Sequence, residues 1–302
     1  MKDFSGVWVA MVSPWNKKKR EPDHVAIEGL VTRLSDTGIA GLFILGTTGE
    51  GTLLSPEDRK RFAESVVTRA GRLPVIVHTG HDRTEVAYDL SRHAAKIGAA
   101  GVAAAPPCRY RFTSEELQAH YLEIASAAGD LPFFLYDIPA TTGNPLSASL
   151  LTGLRTAAAN VIGAKISRGD WEAWEGYLDV AEEFTLLVGK DEMGFPLLLL
   201  GGSGLVSSCA NIFPELYVAL YHAAMNGDIA LGRKIQELIT ELCRVTRRGH
   251  VPTIKRALSI MGQEVGDPLP PLRPLPPAEN SGLSAQLTAI QTKAAQWVEK
   301  GG

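Results

Sequence analysis

The feature of the sequence that most constrains its fold is a rhythm of eight short apolar runs, each followed by an amphipathic stretch. The runs are nearly continuous in apolar character, which is typical of strands buried on both faces of a parallel sheet. They cover residues 7–11, 41–45, 75–78, 101–105, 133–136, 161–165, 185–188 and 204–207. Eight strand–helix repeats in about 225 residues predict an α/β fold, a closed (β/α)8 TIM barrel rather than an open doubly wound sheet.

The stretches between the runs carry helical signals. Aliphatic residues within 27–34 recur at the spacing i, i+3, i+4 and i+7, which places one apolar stripe on a helix. Asp82 with Glu85, and Thr113 with Glu116, have the spacing of a capping box. Each of these predicted helix starts follows one of the predicted strands, as the barrel requires.

The strand rhythm stops after about residue 226. Three helices are predicted beyond that point, over residues 227–247, 252–261 and 284–299. The proline-rich residues 268–277 cannot be helical throughout, and they predict an extended crossing segment. We therefore expect a barrel catalytic domain over residues 1–225 and a C-terminal helical domain, packed on the barrel as an appendage, over residues 226–302.

Composition excludes several classes of protein. A net charge of −3 gives no reason to expect nucleic acid or an anionic membrane as a partner. The N-terminal apolar run is too short for a signal peptide, and no apolar stretch approaches the roughly 20 residues that span a bilayer. The three cysteines form no metal-binding spacing, and their sparse, odd number suits a reducing compartment. The expected location is the cytoplasm.

Polar side chains follow two of the predicted strands, at the barrel face where such enzymes bind substrate. The second strand ends in a turn that begins Gly46-Thr47-Thr48, whose backbone N–H groups and hydroxyls can bind a carboxylate. The fifth strand ends in Tyr136, whose hydroxyl can shuttle a proton. By themselves these are equally compatible with a tight turn and a core tyrosine.

Lys165 closes the apolar sixth strand, where an ammonium is expensive to bury. Burial favours the neutral amine that attacks a ketone, but a lysine here can also reach the rim or pair with a carboxylate. Lys190 is a rival, although Asp191 beside it favours an ion-paired loop lysine. His78 and His81 are the residues that a metal-dependent alternative would use.

Three motifs at the ends of strands two, five and six together resemble the dihydrodipicolinate synthase / N-acetylneuraminate lyase family. They are GTTGE at residues 46–50, YDIPATTG at residues 136–143 and GAK at residues 163–165. The resemblance extends over almost the whole chain. It implies a class I pyruvate-dependent aldolase or lyase that requires no metal and no cofactor, because the imine itself is the electron sink.

The resemblance also implies a role for individual residues. Lys165 forms the imine with pyruvate or with the pyruvate half of a 2-keto acid, Tyr136 shuttles protons, and Thr47 links Tyr136 to solvent or to a further hydroxyl. The residues implied to bind the keto acid or to line its pocket are Gly46, Thr48, Gly189 and Val206. Such enzymes are homo-oligomers, commonly tetramers or dimers.

Three departures from the family pattern affect the second substrate. Thr141 stands where dihydrodipicolinate synthases carry an arginine that grips the aldehyde's carboxylate, which favours a hydroxyl-rich 2-keto-3-deoxy sugar acid. Cys108 and Arg109 replace a tyrosine pair, so that either Tyr110 substitutes for it or Arg109 meets a distal carboxylate. Ile166 follows the lysine where an acidic residue is frequent.

The leading interpretation is an aldolase that cleaves or condenses a 2-keto-3-deoxy sugar acid to or from pyruvate and an aldehyde, more similar to sugar-acid aldolases than to true dihydrodipicolinate synthase. A keto-deoxy sugar-acid dehydratase and a 4-hydroxy-tetrahydrodipicolinate synthase use the same imine and remain open. A non-catalytic keto-acid sensor and a metal-dependent barrel lyase are the alternatives from other classes.

Overall fold

The computed structural model describes residues 3–298 and has a closed barrel of eight parallel strands. The strands are β1 Gly6–Ala10, β2 Gly41–Ile44, β3 Val75–His78, β4 Gly101–Ala104, β5 Phe133–Asp137, β6 Val161–Ile166, β7 Thr185–Val188 and β8 Gly204–Ser207. Each strand pairs with the next in the chain, and β1 closes the barrel by pairing with both β2 and β8. The predicted TIM barrel is confirmed, and each apolar run matches one of its strands to within one residue at either end.

The barrel helices surround the strands in the expected alternation. They are α1 His24–Ser35, α2 Pro56–Ala70, α3 Thr84–Lys96, α4 Ser114–Ala127, α5 Ala148–Ala157, α6 Trp171–Leu178, α7 Gly194–Leu199 and α8 Pro214–Met225. The capping box predicted for Thr113 and Glu116 is present at α4. The one predicted for Asp82 is wrong, because Arg83 precedes α3 and makes no side-chain cap, while the Asp82 carboxylate accepts a bond from the Cys108 N–H.

Three further helices form the predicted C-terminal appendage, namely α9 Ile229–Val245, α10 Val251–Ile260 and α11 Asn280–Val298. The proline-rich residues cross between α10 and α11 without a strand or α-helix, as predicted. Helix α9 packs against α8, so the appendage continues the layer of barrel helices. The domain boundary between residues 225 and 226 stays a prediction.

The strands are apolar on both faces because each face packs against a different part of the core. In β1, Trp8 points into the barrel interior, whereas Val7 and Val9 pack beneath the helices. Phe4 fills the amino-terminal end of the interior: it stacks on Trp8, with ring centroids 5.5 Å apart, and meets Phe134 edge-on at 5.1 Å. The aromatic plug leaves the carboxyl ends of the strands as the accessible end of the barrel.

Among the helices of residues 3–298, we find none with both the length and the apolar character needed to cross a lipid bilayer.

Candidate active site

Lys165 is buried at the carboxyl end of β6, with only 4% of its surface exposed. Its Nζ lies 4.1 Å from the ring centroid of Tyr136 and 4.3 Å from that of Phe43. Within the described residues it makes no ion pair, so it neither reaches the rim nor pairs with a carboxylate. The two structural explanations that the sequence left open for this lysine, a position at the rim and pairing with a carboxylate, therefore do not apply.

Lys190 has a different environment. Its side chain is about one-third exposed, and its Nζ lies 3.4 Å from Glu192 Oε2. This is the ion-paired loop lysine that the neighbouring acidic residues predict. Burial and ion pairing therefore distinguish the two candidate lysines, although both lie at the end of a strand.

Tyr136 lies directly opposite Lys165 in the β5–β6 ladder. Burial by itself would raise the pKa of its phenol, but the positive charge of Lys165 and hydrogen bonds with Thr47 and Ser167 outweigh burial and lower the pKa below its ordinary value of 10.0. A phenol that gives up its proton more readily can exchange protons with the neighbouring amine. Ser167 was missed in the sequence, although its position two residues after Lys165 could have indicated it.

The turn after β2 needs glycine at two positions. A Cβ on Gly49 would lie 2.7 Å from the Leu45 nitrogen, and one on Gly51 would lie 1.9 Å from the Leu45 carbonyl oxygen. The turn therefore folds back tightly on the end of β2. This close approach presents Thr47 and Thr48 to the cavity that contains Lys165.

The same turn is anchored from below by a buried ion pair that the sequence analysis missed. Glu50 Oε2 lies 2.6 Å from Lys255 Nζ of α10, and both side chains are almost completely buried. Lys255 also donates to the backbone oxygens of Ser13 and Asp267, and the Leu269 N–H donates to Glu50. The C-terminal appendage thus supports the turn that carries the two threonines.

One cavity of about 210 Å³ brings together most of the predicted site residues. Those that line it are Thr47, Thr48, Tyr136, Lys165, Gly189 and Val206. A Cβ on Gly189 would lie 2.1 Å from Ser167 Oγ and 3.1 Å from Lys165 Cε, so only glycine leaves this space open. The polar lining that the sequence analysis did not identify comprises Ser167, Asp191, Glu192, Ser208 and Arg248.

An adjoining cavity of about 750 Å³ shares Thr47 and Tyr136 with the first. The predicted residues Gly46, Thr141 and Arg109 line this larger space.

Neither of the substitutes considered for the missing tyrosine pair lines the Lys165 cavity. Arg109 is exposed, and its Nε lies 3.2 Å from Asp82 Oδ2. Tyr110 is 74% exposed, packs edge-on against Phe112 and lines neither cavity of its own chain.

The two histidines do not present a pair of free ligand atoms. His78 Nδ1 lies 3.2 Å from the Leu45 carbonyl oxygen, and its Nε2 accepts a bond from the Ala105 N–H. Burial, together with the charges of Arg59 and Lys165, holds the pKa of His78 well below its usual range. His78 is therefore a neutral packing residue that contacts the Tyr136 ring edge-on.

A second group with metal-ligand chemistry lies beneath the β7 loop. The ligating atoms of Asp191, Cys209 and Cys243 are buried and lie within 4.8 Å of one another. The Asp191 carboxylate already accepts hydrogen bonds from Ser207 at 2.7 Å and from Tyr217 at 2.8 Å. These hydrogen bonds satisfy the buried carboxylate, so the group is explained as a polar network within the core.

Comparison with known proteins identifies the family of the chain. The family model described as "Dihydrodipicolinate synthetase family" matches residues 3–290. The chain belongs to this family. Its proteins are pyruvate-dependent lyases of the class I aldolase type, and the chain is one of them.

Similar proteins carry different names within the family. A 4-hydroxy-tetrahydrodipicolinate synthase of Methanopyrus kandleri is 31% identical over 274 residues, which is 89% of this chain and 91% of that protein. An uncharacterised DapA-like lyase of Halobacterium salinarum is 37% identical over 258 residues, or 84% of each chain.

Solved structures show the same range of names. The pyruvate complex of YagE, a prophage protein from E. coli K12, superimposes with a TM-score of 0.89 at 27% identity, over 95% of this chain and 99% of that one. The Ruminococcus gnavus sialic acid aldolase has a TM-score of 0.89 at 26% identity, over 97% of this chain and 99% of that one. The predicted family is confirmed, while these similarities leave the second substrate open.

Proposed function

We propose that the chain is a Schiff-base-forming lyase that cleaves a 2-keto-3-deoxy sugar acid to pyruvate and an aldehyde, or forms the acid from these two compounds. The observation that carries this proposal is the buried amine of Lys165, which lacks an ion-pair partner in the described chain and lies against the Tyr136 ring. Lys165 is the nucleophile, and Tyr136, with Thr47, is the proton relay.

The first half of the reaction makes the imine. As the phenolate, which its lowered pKa favours, Tyr136 takes one proton from the Lys165 ammonium, and the neutral nitrogen attacks the keto carbon. The carbonyl oxygen takes one proton from the attacking amine to become a hydroxyl, and the Tyr136 phenol donates a second proton, so that water leaves and a positively charged iminium and the phenolate remain. Thr48 and the backbone N–H groups of the turn bind the substrate carboxylate.

The second half breaks the carbon–carbon bond. The phenolate of Tyr136 removes the proton of the C4 hydroxyl, the C3–C4 electron pair moves onto the iminium to form an enamine, and the aldehyde leaves. Tyr136 returns the proton to C3, and water hydrolyses the pyruvate imine to regenerate Lys165. Because the iminium accepts the electron pair, the proposed mechanism needs neither a metal nor a cofactor.

The lining of the cavity favours a hydroxyl-rich aldehyde half. Ser167, Glu192 and Ser208 face the same space as Lys165 and can hydrogen-bond to sugar hydroxyls. Thr141 places no cation at the motif position from which, by the family resemblance, an arginine of the synthases grips the carboxylate of aspartate semialdehyde. This supports sugar-acid aldolase activity over the synthase reaction, and the dehydratase is the second candidate because it shares the imine.

Borohydride trapping tests the covalent step. Reduction in the presence of pyruvate should add the reduced pyruvyl group to Lys165, as located by peptide mass spectrometry. Lys165→Ala should abolish both the adduct and turnover, whereas Lys190→Ala, the matched control at the ion-paired lysine, should retain the adduct. An adduct on Lys190, or none at all, contradicts the mechanism.

A panel of 2-keto-3-deoxy acids assayed for pyruvate release tests the substrate class. Release that persists in EDTA supports the metal-free mechanism, and loss of release in EDTA favours the metal-dependent alternative. Imine formation without release from any compound in the panel favours a dehydratase or a keto-acid sensor. Light scattering tests the proposed homo-oligomer, a tetramer or dimer, and the cytoplasmic location stays a prediction.

A further inference from the structure

A separate hollow of about 490 Å³ opens beside the Lys165 cavity, between the β7 loop and α9. It is lined by Lys190, Glu192, Thr240, Arg244 and Arg248, and we call these five residues the cationic groove. Lys190, Glu192 and Arg248 line the Lys165 cavity as well. A substrate held at Lys165 can therefore extend directly into the groove.

The charges of the groove do not balance internally. Glu192 is its acidic residue, and it lies 3.4 Å from Lys190 Nζ and 2.9 Å from Arg248 Nε. Arg244 makes no ion pair within residues 3–298. Three cations against one carboxylate leave a net positive charge at the mouth of the cavity, together with unused guanidinium donors on both arginines.

The backbone at Arg248 has an uncommon conformation for a residue with a side chain. Arg247 and Arg248 both have a φ of +53°, and the Arg248 N–H donates to the carbonyl of Cys243 where α9 ends. Left-handed backbone costs free energy at residues other than glycine, and such positions concentrate at functional sites. The loop places the Arg248 side chain at the junction of the two spaces.

We propose that the cationic groove binds a terminal anionic group, a phosphate ester or a carboxylate, on the aldehyde half of the substrate. This inference rests on the proposed function and narrows its substrate class to acids charged at both ends. Guanidinium groups match both anions because their donors form two parallel hydrogen bonds. The groove thus takes the role that the sequence offered to Arg109, whose own partner is Asp82.

The kinetic test compares Arg248→Gln with Arg247→Gln. Arg247 is a matched control, because it shares the loop and the φ of +53° but pairs with Glu279 and lines a different hollow. Each variant is assayed on a 2-keto-3-deoxy sugar acid with a terminal phosphate, on its dicarboxylic counterpart and on the compound with a terminal hydroxyl.

The expected result is a rise in KM of about tenfold for one or both doubly charged substrates in the Arg248 variant, since a charge-assisted hydrogen bond is lost. The KM for the hydroxyl-terminated compound and all values for the Arg247 variant should change less than about twofold. The doubly charged substrate whose KM rises most identifies the anion that the groove binds, either phosphate or carboxylate. Equal effects in both variants, or no preference of the wild type for charged substrates, overturn the proposal.

Calorimetry with glycerol 3-phosphate, glycerate and glycerol needs no turnover, and it separates this inference from the proposed function. Binding of an anionic compound that weakens in the Arg248 variant supports the groove even if Lys165 forms no imine. Equal binding of all three compounds, or of none of them, overturns the groove even if borohydride traps pyruvate on Lys165.

Discussion

Replacing Lys255 by methionine should destabilise the protein far more than removing an ordinary lysine. Methionine keeps most of the length of the side chain but removes the ammonium that lies 2.6 Å from Glu50 Oε2. It also removes the donor to the Ser13 and Asp267 carbonyl oxygens. The Glu50 carboxylate, buried behind the turn that carries Thr47, is then left with the Leu269 N–H as its partner.

Breaking a buried ion pair by removing one partner typically costs about 3–5 kcal/mol, because the remaining charge is uncompensated. This corresponds to a decrease of roughly 200- to 5,000-fold in the folding equilibrium constant. Glu50→Gln in the Lys255→Met background removes the orphaned charge. The double variant should therefore lose less free energy of unfolding than the sum of the losses in the two single variants.

Urea unfolding measured by circular dichroism provides the comparison. Lys293→Met is the matched control, since Lys293 Nζ lies 2.8 Å from Glu241 but both side chains are substantially exposed, and its loss should stay below about 1 kcal/mol. Pyruvate trapping should also weaken in the Lys255 variant, because Glu50 holds the turn of Thr47 and Thr48. Equal stability losses at Lys255 and Lys293 would refute the reasoning.

Three further outcomes follow from the site and the core. The pH–rate profile should rise as Tyr136 ionises, with its midpoint below pH 10, because the pKa of Tyr136 is lowered and its phenolate accepts the Lys165 proton, and Tyr136→Phe should remove most activity while retaining the fold; a rise centred at or above pH 10 contradicts the assignment. Gly189→Ala should reduce pyruvate trapping at least about tenfold, since its Cβ would lie 2.1 Å from Ser167 Oγ, and normal trapping would show that the site has room to adjust. Burial lowers the pKa of His120 from 6.5 to about 4, so the unfolded chain binds a proton there before the folded protein does. The folded protein therefore has its full stability with respect to this group above about pH 6.5, and it loses about 3 kcal/mol as the pH falls to about 4. Urea unfolding of His120→Gln should show a free energy of unfolding that depends less on pH over that range. An unchanged pH dependence would exclude His120 as its source.

The fold and the covalent half of the site could be predicted because both depend on local patterns. A strand that is apolar on both faces records its burial in its own residues, and a lysine at the end of such a strand is conspicuous wherever the strand lies. The turn at Thr47 and Thr48, Tyr136 and Lys165 then meet at one end of the barrel, since the carboxyl ends of parallel strands share that end.

The remaining features depend on partners distant in the chain. The capping box predicted at Asp82 was wrong because its carboxylate accepts a bond from the Cys108 N–H instead of capping α3, and the sequence spacing gives no sign of that competing donor. The sequence offered Arg109 as one of two substitutes for the tyrosine pair, and only the structure shows that its Nε lies 3.2 Å from the same Asp82 carboxylate while it lines the larger cavity.

The sequence by itself determined an eight-stranded barrel and an amine at the end of its sixth strand, because hydrophobic period and strand position are written in neighbouring residues. Only the tertiary structure decided that this amine lacks an ion-pair partner within the described chain while Lys255 has one, since Glu50 and Lys255 are separated by about 200 residues in the chain. It also brought Arg248, from the loop after α9, to the mouth of the Lys165 cavity. Burial and pairing are properties of the packed chain, and they distinguish lysines that are alike in sequence.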